Sequence, residues 1–359
     1  MAETLTAAEV FSPGEYLRDE LSARGWTEKE FAGILGRPVQ AVSEILNGRK
    51  QIVPETAVAI GEAFGTSAEV WMNLQSAFNL HQAKSNRPAV TDVHRRSRLR
   101  SCVPVTELRR RGWLPDTDNL DILEAATLRL LGVDDLEAQP SFAIAARRSN
   151  EDAELTPQQI AWLARVKRIA ESKSVPSYDA RAADALANEL VHRLHGPTEL
   201  SDIASWLASC GIVLVNLLPL KSSKMDGATM FLDDGTPVIG LSSRHDRMDG
   251  YVFTLLHEMA HLLLGHIDEC GITIDEDIDG SNGLTGREKD ANDAAAAWIL
   301  PTDATFPPGH PTLSAIIPYA GRYRVHPCFI IGRIQRDRQD WSLLRRQIPR
   351  VRPFVSVES

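Results

Sequence analysis

The sequence predicts a mainly α chain with one small β-sheet, and three observations predict it. Residues 1–85 break into short helix-period segments stopped by Gly and Pro. Branched, strand-like runs occur between Gly211 and Ser242. An apolar helix then carries His257-Glu258-Met-Ala-His261. Four parts follow from this: a five-helix N-terminal domain over 1–85, a helical connector over 86–200, an α+β domain over 201–301, and a helical C-terminal extension over 302–359.

At 359 residues the chain can hold two or three domains. A formal charge of -9 argues against coating nucleic acid by bulk electrostatics, though not against a local basic surface. No charged-then-apolar leader and no run of transmembrane length is present, so the expectation is a cytoplasmic protein with no membrane partner. Cys102, Cys210, Cys270 and Cys328 are widely spaced, which suggests neither a disulfide framework nor a cysteine zinc knuckle and reads as buried thiols.

Pro13 to Arg24 reads as a first helix with Tyr16, Leu17 and Leu21 on one face and Gly25 as its stop. Thr27-Glu28-Lys29-Glu30 is a capping box, opening a short helix through Phe31, Ile34 and Leu35. Pro38 to Leu46 follows the Gly36 break, burying Val42, Ile45 and Leu46 and ending at Asn47-Gly48. Two short helices about a Gly-containing turn are the helix-turn-helix signature. Pro54 to Phe64 and Ser67 to Leu80 supply two more helices.

If Pro38 to Leu46 is a recognition helix, its outward residues are Gln40, Ala41, Ser43, Glu44 and Asn47. Gln40 is placed to meet a base edge, and Arg37, Arg49 and Lys50 to meet phosphates. A helical docking domain without nucleic acid is the alternative. Pro13-Gly-Glu-Tyr-Leu-Arg-Asp-Glu-Leu21, Gly25-Trp26-Thr27 and Val42-Ser-Glu-Ile-Leu-Asn-Gly-Arg-Lys50 resemble the HigA-type antidote proteins, a match continuing through Trp71-Met-Asn-Leu-Gln75. That resemblance implies a Cro/C1-type helix-turn-helix fold, a homodimer on operator DNA, and repression of a toxin-antitoxin operon.

In the connector, the basic run from Arg87 to Arg111 reads first as a solvated helix face and second as a DNA-backbone contact. Asn119 to Leu131 is amphipathic and closed by Gly132. Phe142 to Ser149 has no clear assignment. Thr156-Pro157 opens a helix to about Ser172, and Asp179 to His192 and Ser201 to Cys210 are two more. His192 and His195 read as surface histidines.

Strands are expected over Gly211 to Leu218, Lys224 to Leu232 and Pro237 to Ser242, the last two joined at Asp233-Asp234-Gly235. The strand before the metal-type helix is expected to have a free edge that can take an extended peptide. On that helix His257 and His261 are one turn apart and can reach one metal, with Glu258 beside the metal's water as general base. After an acidic loop from Asp268 to Asp279, the helix Thr285 to Ile299 places Glu288, Ala291, Asn292 and Ala295 on one side. Glu288 is therefore the expected third ligand, with Asp290 second. His266 is expected at the surface, with a role beside substrate or ligands as the alternative. His245 is read likewise but precedes the helix and can approach the cleft. Tyr251 and His245 are weak candidates for an oxyanion donor.

His257-Glu258-Met-Ala-His261 with Glu288-Lys-Asp-Ala291-Asn292…Leu300-Pro301 resembles the ImmA/IrrE metallopeptidases. Ala294, Ala297 and Trp298 depart from the usual pattern at packing positions. The resemblance implies a zincin-like fold, Zn2+ on His257, His261 and Glu288, and cleavage of a helix-turn-helix repressor. Longer proteins that join an antidote-type domain to this peptidase domain have a similar connector and a tail like Val325-His-Pro-Cys-Phe-Ile-Ile-Gly-Arg-Ile-Gln335.

In the tail, Thr312 to Ala320 and the segment from Pro327 are helices, and nine arginines lie between Arg322 and Arg352. Docking on the acidic N-terminal module is preferred for them over DNA phosphate. The expectation is thus an antitoxin-like DNA-binding regulator with a zinc metallo-endopeptidase-type domain whose peptide substrate is its own chain or a partner. The alternative is a non-catalytic metal-containing regulator that senses a signal or binds a toxin.

Overall fold

The computed structural model describes residues 11–85, 88–143, 155–267, 272–276 and 286–358. The chain divides into two compact units, residues 1–95 and 96–359.

The first unit holds α1 (Pro13–Arg24), α2 (Glu28–Ile34), α3 (Val39–Leu46), α4 (Pro54–Phe64) and α5 (Ala68–Ser85). Proline in the first turn starts α1 and α4, where a missing N–H costs nothing. Thr27 and Glu30 form the reciprocal capping box: the Glu30 N–H donates to Thr27 Oγ1 and the Thr27 N–H to Glu30 Oε2. Leu17, Leu21, Phe31, Val42, Ile45, Leu46, Ile60, Phe64 and Trp71 make the core, with the Phe31 and Phe64 rings stacked at 5.0 Å. Two expected face residues are instead in solvent: Tyr16 is 40% and Ile34 49% exposed. A helix as short as α2 buries one narrow stripe, and Phe31 with Ala32 fills it.

The second unit is built on a four-stranded sheet of β1 (Val213–Asn216), β2 (Met225–Phe231), β3 (Pro237–Leu241) and β4 (Ile272–Glu276), in the order β1-β3-β2-β4. β3 runs parallel to β1 and antiparallel to β2, while β2 is also antiparallel to β4. Two expectations are corrected here. β3, the strand leading into the motif helix, has neighbours on both sides and no free edge; the edges are β1 and β4. The acidic stretch read as a loop contains β4, whose alternation of Ile272 and Ile274 with Thr273 and Asp275 is too short a signal among acidic residues to stand out.

Helical layers cover both faces of this sheet. Strand alternation sends Val213, Val215 and Val238 to one side, against Leu99 at the end of α6 (Pro88–Cys102) and against α7 (Val105–Arg110), α8 (Leu120–Leu131) and α9 (Pro157–Ala170). Trp162 of α9 is wholly buried there and donates its indole N–H to the Leu217 carbonyl at 3.0 Å. Leu214, Ile239 and Leu241 face the other side, against α10 (Ala180–Arg193), α11 (Ile203–Ser209), α12 (Met248–Leu263), α13 (Gly286–Ile299), α14 (Leu313–Tyr323) and α15 (Pro327–Arg338). The stretch read as a connector thus shares one core with the strands. Phe142 belongs to that core, whereas 144–149 lie outside the described residues.

Parts of both basic stretches are engaged inside this unit. Arg98 pairs with Asp135 and Glu137, and Arg111 with Glu107 and the Leu218 and Pro219 carbonyls. In the tail, Asp246 accepts the Val351 and Arg352 backbone N–H groups at 3.0 and 2.8 Å, and Arg352 donates to the Ser243 carbonyl. Among the described residues no helix is long and apolar enough to cross a membrane.

Candidate metal centre

α12 is held in place by its apolar flanks. Val252, Leu255, Leu256 and Met259 have no exposed surface, each such side chain stabilising by about 1.5–3 kcal/mol. This frame buries His257, Glu258 and His261 as well, at 1%, 0% and 0% exposure. Buried polar groups need partners, and here α13 and β2 supply them.

His257 and His261 point their Nε2 atoms at each other across 2.9 Å, and Glu288 Oε2 of α13 lies 3.3 and 3.6 Å from them. The three donor atoms fall within 4.8 Å of one another. Donors on one tetrahedral ion with bonds of about 2.0–2.1 Å stand roughly 3.3 Å apart, so the three gaps bracket that edge. Two imidazoles and one carboxylate are a donor set that fits a catalytic-type site. Burial acts to raise the Glu288 carboxyl, but the His257 and His261 imidazoles outweigh it and hold it well below the usual carboxylate range. Asp290 is exposed and outside the cluster.

The surrounding residues fix the rings. His257 Nδ1 sits 3.1 Å from Asn292 Oδ1, where the ring N–H donates and leaves the Nε2 lone pair inward. His266, expected at the surface, is instead half-buried with Nδ1 3.2 Å from His261 Nδ1. The reason is Gly265: its left-handed φ of 67° ends α12 and returns the chain, so the His266 N–H reaches the His261 carbonyl at 3.0 Å. Burial first, then the neighbouring His261 and Arg287, lower the His266 pKa and favour the neutral ring that can accept from His261.

Glu258 faces β2. Its Oε2 accepts from the Thr229 hydroxyl at 2.6 Å, and a Cβ at Gly227 would lie 2.3 Å from its Oε1. Neither residue was singled out from sequence, although a glycine inside a strand does signal a close approach. Tyr251 is no oxyanion donor: it is buried and its hydroxyl donates to Asn216 Oδ1 at 2.8 Å. His245 is exposed, with Nε2 3.2 Å from Arg244 Nε.

On the N-terminal unit, α3 presents Gln40 fully outward, with Ala41, Ser43 and Glu44 half-exposed. Gln40 Nε2 donates to Glu44 Oε1 at 3.3 Å. Arg49 and Lys50 are exposed just beyond the helix and Arg37 is half-buried just before it. Asn47 has a structural job: its amide donates to the Ser43 carbonyl and accepts from Arg18 Nη2 at 2.6 Å. Arg18, which sequence reasoning missed, is thereby brought from α1 to the edge of this surface.

Residues 211–308 match the family described as the IrrE N-terminal-like domain, and residues 16–71 match the helix-turn-helix family. The chain is 30% identical over 87 residues to the uncharacterized HTH-type transcriptional regulator YddM of Escherichia coli (strain K12), covering 24% of this chain and 88% of that protein. It is 30% identical over 82 residues to virulence-associated protein I of Dichelobacter nodosus, covering 23% of this chain and 76% of that one. Among solved structures, a HigA-family addiction module antidote protein from Coxiella burnetii is 34% identical, covering 22% of this chain and 86% of that chain with a TM-score of 0.21. The Pseudomonas aeruginosa antitoxin HigA, solved with the higBA promoter, is 32% identical, covering 23% and 91% with a TM-score of 0.22.

Proposed function

We propose a two-part regulator from the premise that this chain belongs to the helix-turn-helix transcriptional regulators through its N-terminal module and carries an IrrE N-terminal-like peptidase-family domain. The N-terminal module binds operator DNA as a homodimer, with α3 in the major groove. Gln40, Ala41, Ser43 and Glu44 face the base edges, with Asn47 supporting them, and Arg37, Arg49 and Lys50 take phosphates. The second part is a zinc-dependent endopeptidase acting on a peptide segment of this chain or of a protein partner such as a toxin.

The observation that carries the peptidase reading is the convergence of His257, His261 and Glu288 within 4.8 Å, one residue from the buried carboxylate of Glu258. These three would hold the ion, which supplies Lewis acidity when bound. Glu258 takes the proton of the attacking water and delivers it to the leaving amine. Asn292 and His266 hold the two imidazoles in the tautomers the ion requires.

The test is elemental analysis and intact mass of purified wild type, His261→Ala and Glu258→Gln after incubation. The expected result is zinc in wild type and Glu258→Gln, none in His261→Ala, and cleavage in wild type alone. Cleavage by Glu258→Gln would sink the mechanism. Bound zinc with every mass unchanged would favour the alternative, a metal-containing regulator or antitoxin that does not cut.

A further inference from the structure

The second unit contains a cavity of about 440 Å³ between the first turns of α12, the end of α13, the face of α15 and the tail. Ligand sites are typically about 300–1,000 Å³, so this one has room for a small molecule. It is separate from the metal centre, because His257, Glu258, His261, Glu288 and Asn292 do not line it. Phe253, one turn before His257, and Ala296, one turn after Asn292, form the intervening wall.

Its walls combine two chemistries. Phe253, Phe329 and Trp341 are aromatic, and Trp341 is 36% exposed. The charge is strongly one-sided. Asp249 is the carboxylate in the lining, and Arg247 already neutralises it at 2.6 and 3.1 Å. Arg333 is paired with Asp337 at 2.9 Å. Arg336 lies 4.7 Å over the Phe253 ring and, like Arg345, forms an ion pair with no carboxylate among the described residues. Two guanidinium groups therefore line a space floored by rings, with no carboxylate among the described residues paired to either.

We propose that this cavity binds a small aromatic anion, a ring-bearing carboxylate, sulfonate or phosphate, with its charge on Arg336 and Arg345 and its ring against Trp341. A guanidinium fork matches such oxyanions in bidentate fashion, which an uncharged ligand cannot exploit. Rings on the walls select a planar body by offset stacking. The site would make this chain responsive to a metabolite independently of any peptide it cuts.

The test is a fluorescence titration of the full chain with anilinonaphthalene sulfonate, and in parallel with its uncharged analogue N-phenylnaphthylamine. The expected result is saturation of the sulfonate at one per chain. Arg345→Gln, a change to an exposed side chain that leaves the fold intact, should weaken sulfonate binding roughly tenfold, the scale of one lost charge-assisted contact. Arg336→Gln should do the same, while both leave the uncharged analogue unchanged. Trp341→Ala should weaken both compounds. Equal binding of the sulfonate by wild type and Arg345→Gln, or non-saturating binding at many sites, would overturn the proposal.

Discussion

Glu258 Oε2 accepts a hydrogen bond from the Thr229 hydroxyl at 2.6 Å, which ties the middle of the metal motif to the middle of β2. Both residues are wholly buried, so the bond forms where water cannot replace it. Thr229→Val keeps the shape and removes the donor. It should cost about 1.5–3 kcal/mol by urea unfolding at neutral pH, the range for a hydrogen bond to a charged group. The same change made on Glu258→Gln should cost less, about 1 kcal/mol. Equal costs in the two backgrounds would show that Thr229 does not act through the carboxylate.

Gly227 sets the other limit on that carboxylate. A methyl group there would meet Glu258 Oε1 at 2.3 Å and Thr254 Cγ2 at 2.9 Å, so Gly227→Ala must displace Glu258. We expect a stability loss of about 1–3 kcal/mol from overpacking, with metal stoichiometry unchanged because the three donors lie elsewhere. A variant crystal structure with Glu258 unmoved would contradict this.

Chelation should destabilise the wild type and leave His261→Ala and Glu288→Gln unaffected. Metal at a hundred times its Kd stabilises the folded state by about 2.7 kcal/mol, roughly 5–10 °C in the thermal midpoint of a unit this size. Calorimetry with and without a chelator measures it. Equal shifts in wild type and both variants would mean that the ion binds somewhere else.

The capping box gives a pH prediction for the N-terminal unit. The Thr27 backbone N–H, then its hydroxyl, holds the Glu30 carboxyl below its ordinary value of 4.5. A lowered folded pKa means that the carboxylate stabilises above that value. The contribution is lost as pH falls from 4.5 through the lower, folded pKa. Carboxyl-carbon NMR should find Glu30 titrating below the ordinary glutamate value of 4.5, and Thr27→Ala should return it to the ordinary range. Loss of the cap should also cost about 0.5–2 kcal/mol at neutral pH.

What could be read from the sequence was whatever a single helix or strand encodes, and β1, β2 and β3 lie within the expected runs. His257 and His261 share a face because four residues are about one turn, and Glu288 shares a side with Ala291 and Asn292 for the same reason. Leu17, Leu21, Val42, Ile45 and Leu46 were legible in the same way. What stayed hidden depends on chain segments meeting from afar. β3 gains both neighbours only through strand order, and β4 is defined by β2 rather than by its own residues. Tyr251 looked available because Asn216, 35 positions away, gives no sign of its role. His266 turned inward on the left-handed Gly265, a hinge that helical phase cannot extrapolate across.

The placement of the two cores along the chain also sets a timetable for synthesis. The last buried residue of the N-terminal core to be made is Trp71, with Met72 and Leu74 packed against it, whereas the core behind the metal centre includes Val351 and Val355. At about 5–20 residues per second, the ribosome separates these events by roughly a quarter of a minute to a minute. For that interval every nascent chain carries a finished helix-turn-helix module and an unfinished metal body. A stop codon after α5 would keep every buried residue of the first core and remove every residue of the second.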